Sequence, residues 1–73
     1  MSISKERLAM LRNAFPVGSK VKLDSMDDCY APPVGTIGQV ICVDDIGTIH
    51  VQWADGSTLG VAYPEDKCHR VYA

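Results

Sequence analysis

Apolar residues recur at helical spacing in the first fifteen positions, and from residue 20 onward they alternate with polar ones at the period of a strand. Leu8, Leu11 and Phe15 form one stripe, with Lys5, Arg7 and Arg12 off it. This spacing predicts a helix from Ser4 to Phe15. Ser2 or Ser4 can cap it, and Pro16 with Gly18 ends it. A helix of this length is marginal alone in water. Its stripe therefore frays in solvent, docks on the rest of the chain, or makes a two-fold contact with a second copy in a homodimer, and the pattern serves all three.

Lys20-Val21-Lys22-Leu23-Asp24 predicts a half-buried strand. A loop of about a dozen residues follows, restrained by Pro32-Pro33 and turned back into a strand at Gly35. Gly38 to Val43 is the second strand. Val40, Ile41 and Val43 cannot all face one side unless the strand is bulged or shared between two halves of a barrel. After a tight turn at Asp44-Asp45-Ile46-Gly47, Ile49, Val51 and Trp53 alternate with Thr48, His50 and Gln52, and the first set is the inward one. Asp55-Gly56 is a strong hairpin signal. Leu59 and Val61 continue the inward face, Tyr63-Pro64-Glu65-Asp66 reads as a short helical turn, and Lys67 to Tyr72 is the last strand. The expected fold is mainly β: a small five-stranded SH3-like barrel over residues 17–73, preceded by a short N-terminal α-helix over 1–16. An OB-type barrel fits less well, because it inserts a helix between its middle strands where this chain has a hairpin.

The chain resembles a prokaryotic family of unknown function, small proteins of Gram-positive bacteria and of their phages, plasmids and integrated elements. The resemblance rests on Phe15-Pro16-Val17-Gly18, Met26-Asp27-Asp28, Tyr30-Ala31-Pro32-Pro33, Gly35-Thr36, Gly38, Val43-Asp44-Asp45-Ile46-Gly47, Ile49-His50-Val51, Trp53 and Asp55-Gly56-Ser57. Family members commonly carry proline where this chain has Cys29 and Val34, and a small residue where it has Cys42. The resemblance implies a mobile-element setting and supports the barrel, and it brings no catalytic residue with it.

Charge narrows the classes of partner. Up to Lys22, five cations face one acid, Glu6; from Asp24 on, eight acids face two cations. The acidic body disfavours a phosphate backbone, whose binding depends on Lys and Arg. At 73 residues the chain is one domain with little room for a deep catalytic cleft. Its start lacks the apolar run of a signal peptide and nothing has the length of a membrane span, so the expected location is the cytoplasm. Cys29, Cys42 and Cys68 are odd in number and widely spaced, which predicts reduced thiols rather than a disulfide framework. With His50 and His69 they are the soft-metal candidates, but only Cys68-His69 are close, and adjacent residues on a strand cannot chelate one ion; no metal and no cofactor is expected. Nor does any set of motifs assemble a nucleophile, a base and an orienting group.

The expected function is therefore a non-enzymatic binding module for a basic protein or peptide, with the acidic loop rim as its site: Asp27, Asp28, Tyr30, Asp44, Asp45 and Tyr63. Asx turns account for part of this acidic set. Two alternatives stand beside it. One is a nucleic-acid accessory domain with Lys5, Arg7, Arg12, Lys20 and Lys22 on phosphates. The other is an acidic inhibitor occupying the nucleic-acid groove of a host defence nuclease.

Overall fold

The computed structural model describes residues 3–62 and 66–72. These described residues form one helix, α1 (Lys5–Ala14), and five strands: β1 (Lys20–Ser25), β2 (Ile37–Val43), β3 (Ile49–Trp53), β4 (Gly60–Val61) and β5 (Lys67–Arg70). Of the two candidate caps, Ser4 is the one used, its hydroxyl accepting the Arg7 N–H at 3.2 Å; Ser2 lies outside the described residues. Glu6 in the first turn and Arg12 in the last complement the helix dipole. The helix closes at Phe15, whose N–H reaches the Leu11 carbonyl. Gly18 then takes a positive φ of 89°, and its N–H joins the Val40 carbonyl at 2.8 Å, leading the chain into the sheet.

The helix is docked. Leu8, Leu11 and Phe15 are half-buried against the core. The guanidinium of Arg12 donates to the Val43 carbonyl and to Asp45 Oδ1, the latter at 2.8 Å. Gly47, buried with φ 85° in the β2–β3 turn, sits so close to Ile3 and Leu11 that a Cβ there would lie 2.8 Å from Ile3 Cδ1. An apolar stripe and one ion pair thus clasp the turn from outside.

The strands form one antiparallel sheet in the order β4-β3-β2-β1-β5. The first four run as a meander and β5 returns beside β1. The expected inward residues Ile49, Val51, Trp53 and Val61 are inward, and with Val21, Leu23, Val40, Val43 and Cys68 they form the buried core, while Leu59, also expected inward, packs at its margin. Trp53 keeps its polar end satisfied by donating Nε1–H to the Leu59 carbonyl at 3.0 Å. The three apolar positions of β2 are reconciled by a bulge between Val40 and Cys42, which leaves Ile41 46 % exposed while Val40 and Val43 both point in.

Two elements are shorter than the sequence suggests. Only Gly60 and Val61 pair in β4, opposite His50 and Ile49, because the Leu59 carbonyl takes the Trp53 indole. β5 stops at Arg70, although the Val71 N–H still reaches the Lys20 carbonyl. Of the expected helical turn, Tyr63, Pro64 and Glu65 lie outside the described residues. Asp66 is described, and it draws together the two sides of the sheet. Its carboxylate accepts the Asp27 N–H after β1 at 2.8 Å and the Ala62 N–H after β4 at 3.2 Å, while its own N–H bonds the Ala62 carbonyl. The result is a mainly β domain with a small, barrel-like curl.

Candidate functional site

The long loop between β1 and β2 spans residues 26–36 and is held at both ends. Met26 packs on the core and Pro32 is buried. Asp27 gives its N–H to Asp66. The Asp28 carboxylate accepts the Tyr30 N–H at 2.8 Å, an Asx turn, and its carbonyl accepts the Ala31 N–H. Thr36 bonds the Pro33 carbonyl with both N–H and hydroxyl. Gly35, at φ 94°, donates to Leu23 and Leu23 donates to Thr36, so the loop re-enters the ladder before β2 begins. This frame holds Tyr30 out at 80 % exposure and Val34 at 71 %, beside the exposed side chains of Asp27 and Asp28.

Asp44 and Asp45 sit on the turn at the other end of β2, and each has an internal task. Asp44 Oδ1 accepts the N–H groups of Ile46 and Thr48, and Oδ2 pairs with His50 Nε2 at 2.8 Å. The His50 hydrogen bond, then the Thr48 N–H, hold the Asp44 carboxyl below the usual carboxylate range against a smaller opposing effect of burial. Asp45 is 94 % exposed and bonds Arg12. The 26–36 loop and this turn are separated along β2 by its seven residues. Around the curl they are joined through Asp66, Ala62, and Val61 paired with Ile49. Tyr63, the remaining expected contact residue, lies outside the described residues.

Among the candidate phosphate contacts, Arg12 is engaged by Asp45 and the Val43 carbonyl. Lys5 and Arg7 are exposed on α1, and Lys20 and Lys22 project outward from β1. Cys29 and Cys42 are exposed, and none of the three cysteines is in a disulfide. Cys68 is buried, and burial first, with the Asp24 charge second, pushes its thiol up to about 11. A protonated, buried thiol is a poor nucleophile. Among the described residues no group of three His, Cys, Asp or Glu side chains converges to hold a metal ion, and no helix is long and apolar enough to cross a membrane.

Sequence reasoning passed over two arrangements. One is the role of Asp66. The other is Arg70, whose guanidinium lies over the Tyr72 ring, 4.8 Å from its centroid. The spacing of two was the available signal, since residues i and i+2 of an extended chain share a face.

No curated protein and no solved structure matches the chain. The family described as Domain of unknown function (DUF4314) matches residues 4–71, nearly the whole length, and the chain belongs to that family.

Proposed function

We propose that this DUF4314 protein is a non-enzymatic binding module that captures a basic protein or peptide on the loop between β1 and β2. The observation that carries the reading is the fixed presentation of Tyr30, 80 % exposed, by a loop tied down at Asp27, Tyr30, Gly35 and Thr36. An aromatic held out of the core in a pre-ordered loop costs little further entropy when a partner covers it. Asp27 and Asp28 add charge that attracts a cationic partner and speeds encounter. The sheet order suits an SH3-like barrel, whose long first loop takes extended peptides against aromatic side chains. Asp45 extends the acidic rim, whereas Asp44 shapes its turn. Exposed thiols at Cys29 and Cys42 suit a reducing cytosol, and a mobile-element setting makes host proteins the pool of partners.

The test pairs stability with affinity. The double variant Asp27→Asn/Asp28→Asn and the single variant Tyr30→Ala are titrated against Lys- and Arg-rich peptides with interspersed prolines, beside thermal melts. Exposed substitutions change stability by about 0.5 kcal/mol or less, so the melts stay together while affinity falls, most at low salt. Wild-type protein that ignores basic peptides at low salt, or variants that bind them equally well, would overturn the reading. Association with a nuclease, lost in the same variants, would identify the partner as a host defence enzyme.

A further inference from the structure

The outward face of β1 and β5 carries charge opposite to that of the loop beside it. Lys20 and Lys22 point outward from β1 and Lys67 from β5, and all three are exposed. Cross-strand pairing widens this face: Lys22 stands between His69 and Ile37, and Lys20 beside Gln39, which in turn pairs with Gln52. These neighbours are exposed too, so no described part of the chain covers the face. The carboxylate on it, Asp24, is held by His69 Nδ1 at 2.8 and 2.9 Å. None of the three lysines makes an ion pair among the described residues.

The 26–36 loop begins where this face ends. Ser25, the last residue of β1, pairs with Lys67. The stem of Lys22 lies against the loop's return, since a Cβ on Gly35 would stand 3.8 Å from Lys22 Cε. Asp27 and Asp28 are exposed in the loop and make no ion pair among the described residues, and Tyr30 and Val34 stand out beside them. A basic patch and an acidic patch therefore adjoin on one chain without pairing. A two-fold axis between them lays each patch of one copy on the opposite patch of the other, which is the condition for an isologous interface. The helix stripe does not serve as that contact, because Leu8, Leu11 and Phe15 are packed on the chain's own core.

We propose that the protein forms a two-fold dimer in which the 26–36 loop of each copy docks on the lysine face of the other, Asp27 and Asp28 against Lys20, Lys22 and Lys67, with Tyr30, Val34 and Ile37 as the apolar contacts. The inference rests on the loop being a site for basic partners, and it names a second copy as one of them. A nucleic acid or an acidic peptide would answer the lysines but leave the loop's acids and apolar side chains unmatched. Complementary charge sets register and encounter more than tightness, and salt screens exposed pairs, so the dimer is weak and reversible. Self-association masks the loop, and a basic ligand gains the site by displacing the second copy.

The experiment is sedimentation equilibrium of the full chain over a concentration series at low and high salt, with a thermal melt of every variant. Wild type self-associates at low salt and dissociates as salt rises. Lys20→Glu/Lys22→Glu reverses the face, and Asp27→Lys/Val34→Lys reverses the loop while sparing the Asx turn of Asp28. Each weakens the dimer about tenfold or more, with melts near wild type because the sites are exposed. Mixing the two variants restores association, since the acidified face of one meets the basified loop of the other. Lys5→Gln/Arg7→Gln, on the helix, changes nothing, and a Lys- and Arg-rich peptide dissociates the wild-type dimer. A wild type that stays monomeric at low salt yet binds that peptide would overturn the dimer alone; one that ignores the peptide as well would overturn the reading of the loop with it. A dimer that survives both charge reversals, or that does not recover on mixing, would also overturn the proposal, as would a monomer whose lysine face takes poly-glutamate or an oligonucleotide instead.

Discussion

Replacing Gly38 by alanine tests the packing of the core at its tightest point. Gly38 lies in β2, between Val21 of β1 and Trp53 of β3. A Cβ there would collide with Val51 Cγ1, lie 2.6 Å from the Trp53 ring carbon Cε3 and stand 3.0 Å from the Gln52 carbonyl. None of these is the loose end of a flexible side chain, so the strand or the indole must shift. Overpacking of this kind costs about 1–3 kcal/mol. The loss of glycine's unfolded-state freedom gives back about 0.4–1 kcal/mol, leaving a net loss near 1–2 kcal/mol. A small domain has only about 5–10 kcal/mol in total, and each kcal/mol lowers the melting temperature by about 4–8 °C at this size. Thermal melts by circular dichroism should therefore drop by roughly 5–15 °C. Emission from Trp53, the single tryptophan, should change with them. Gly56→Ala is the control, since nothing lies within 4 Å of its Cβ position and only its φ of +94° opposes the change; the melt falls but the tryptophan emission holds. A Gly38→Ala protein as stable as wild type, with unaltered emission, would refute the close approach of β2 and β3 on which the core assignment rests.

The other stability predictions concern the β2–β3 turn. Asp44 titrates below the usual carboxylate range when folded, so its stabilising effect is complete above the unfolded value of ~4 and disappears as pH falls through the lower folded value. Asp44→Asn, which cannot titrate, should flatten the loss of melting temperature on acidification below ~pH 4, and an acid limb identical to wild type would contradict the assignment. Gly47→Ala should destabilise through both its positive φ and its approach to Ile3, and hydrogen exchange should quicken in α1. Exchange unchanged in the helix would show that the helix does not depend on this contact.

Local signals carried most of the architecture. Ser4 caps, Lys20–Asp24 alternates, Trp53 faces in, and the crowding of Val40, Ile41 and Val43 announces the bulge, because each depends only on neighbours in sequence. The Asp55-Gly56 turn is equally local, with Gly56 at positive φ and Asp55 accepting the Ser57 N–H. What was not legible depends on distant partners. Asp66 reaches Asp27 across 39 positions and Arg12 reaches Asp45 across 33, and no periodicity encodes such pairs. The acidic set looked uniform as a string of letters. Its members differ because Asp44 closes a turn and pairs with His50, Asp45 holds the helix, Asp28 closes an Asx turn on Tyr30 while staying exposed, and Asp27 is exposed and anchors the loop through its N–H. Arg70 and Tyr72 read as ordinary strand residues until the register put Arg70 on the inward side without an acid to meet it.

The bulge in β2 has a consequence for comparing relatives. Val40 and Val43 point in while Ile41 and Cys42 point out, so removing one of the outer pair would restore strict alternation without moving an apolar side chain from the core. It would also remove the local bend and extra twist that a bulge imposes. Asp66 can span from Ala62 to Asp27 only if the sheet curls that far. The closure of the domain is therefore written partly in chain length rather than in residue identity. In an alignment it would surface as a one-residue gap between the positions of Val40 and Val43, easily dismissed as noise, and a homologue carrying that gap would have a flatter sheet and a differently aimed first loop.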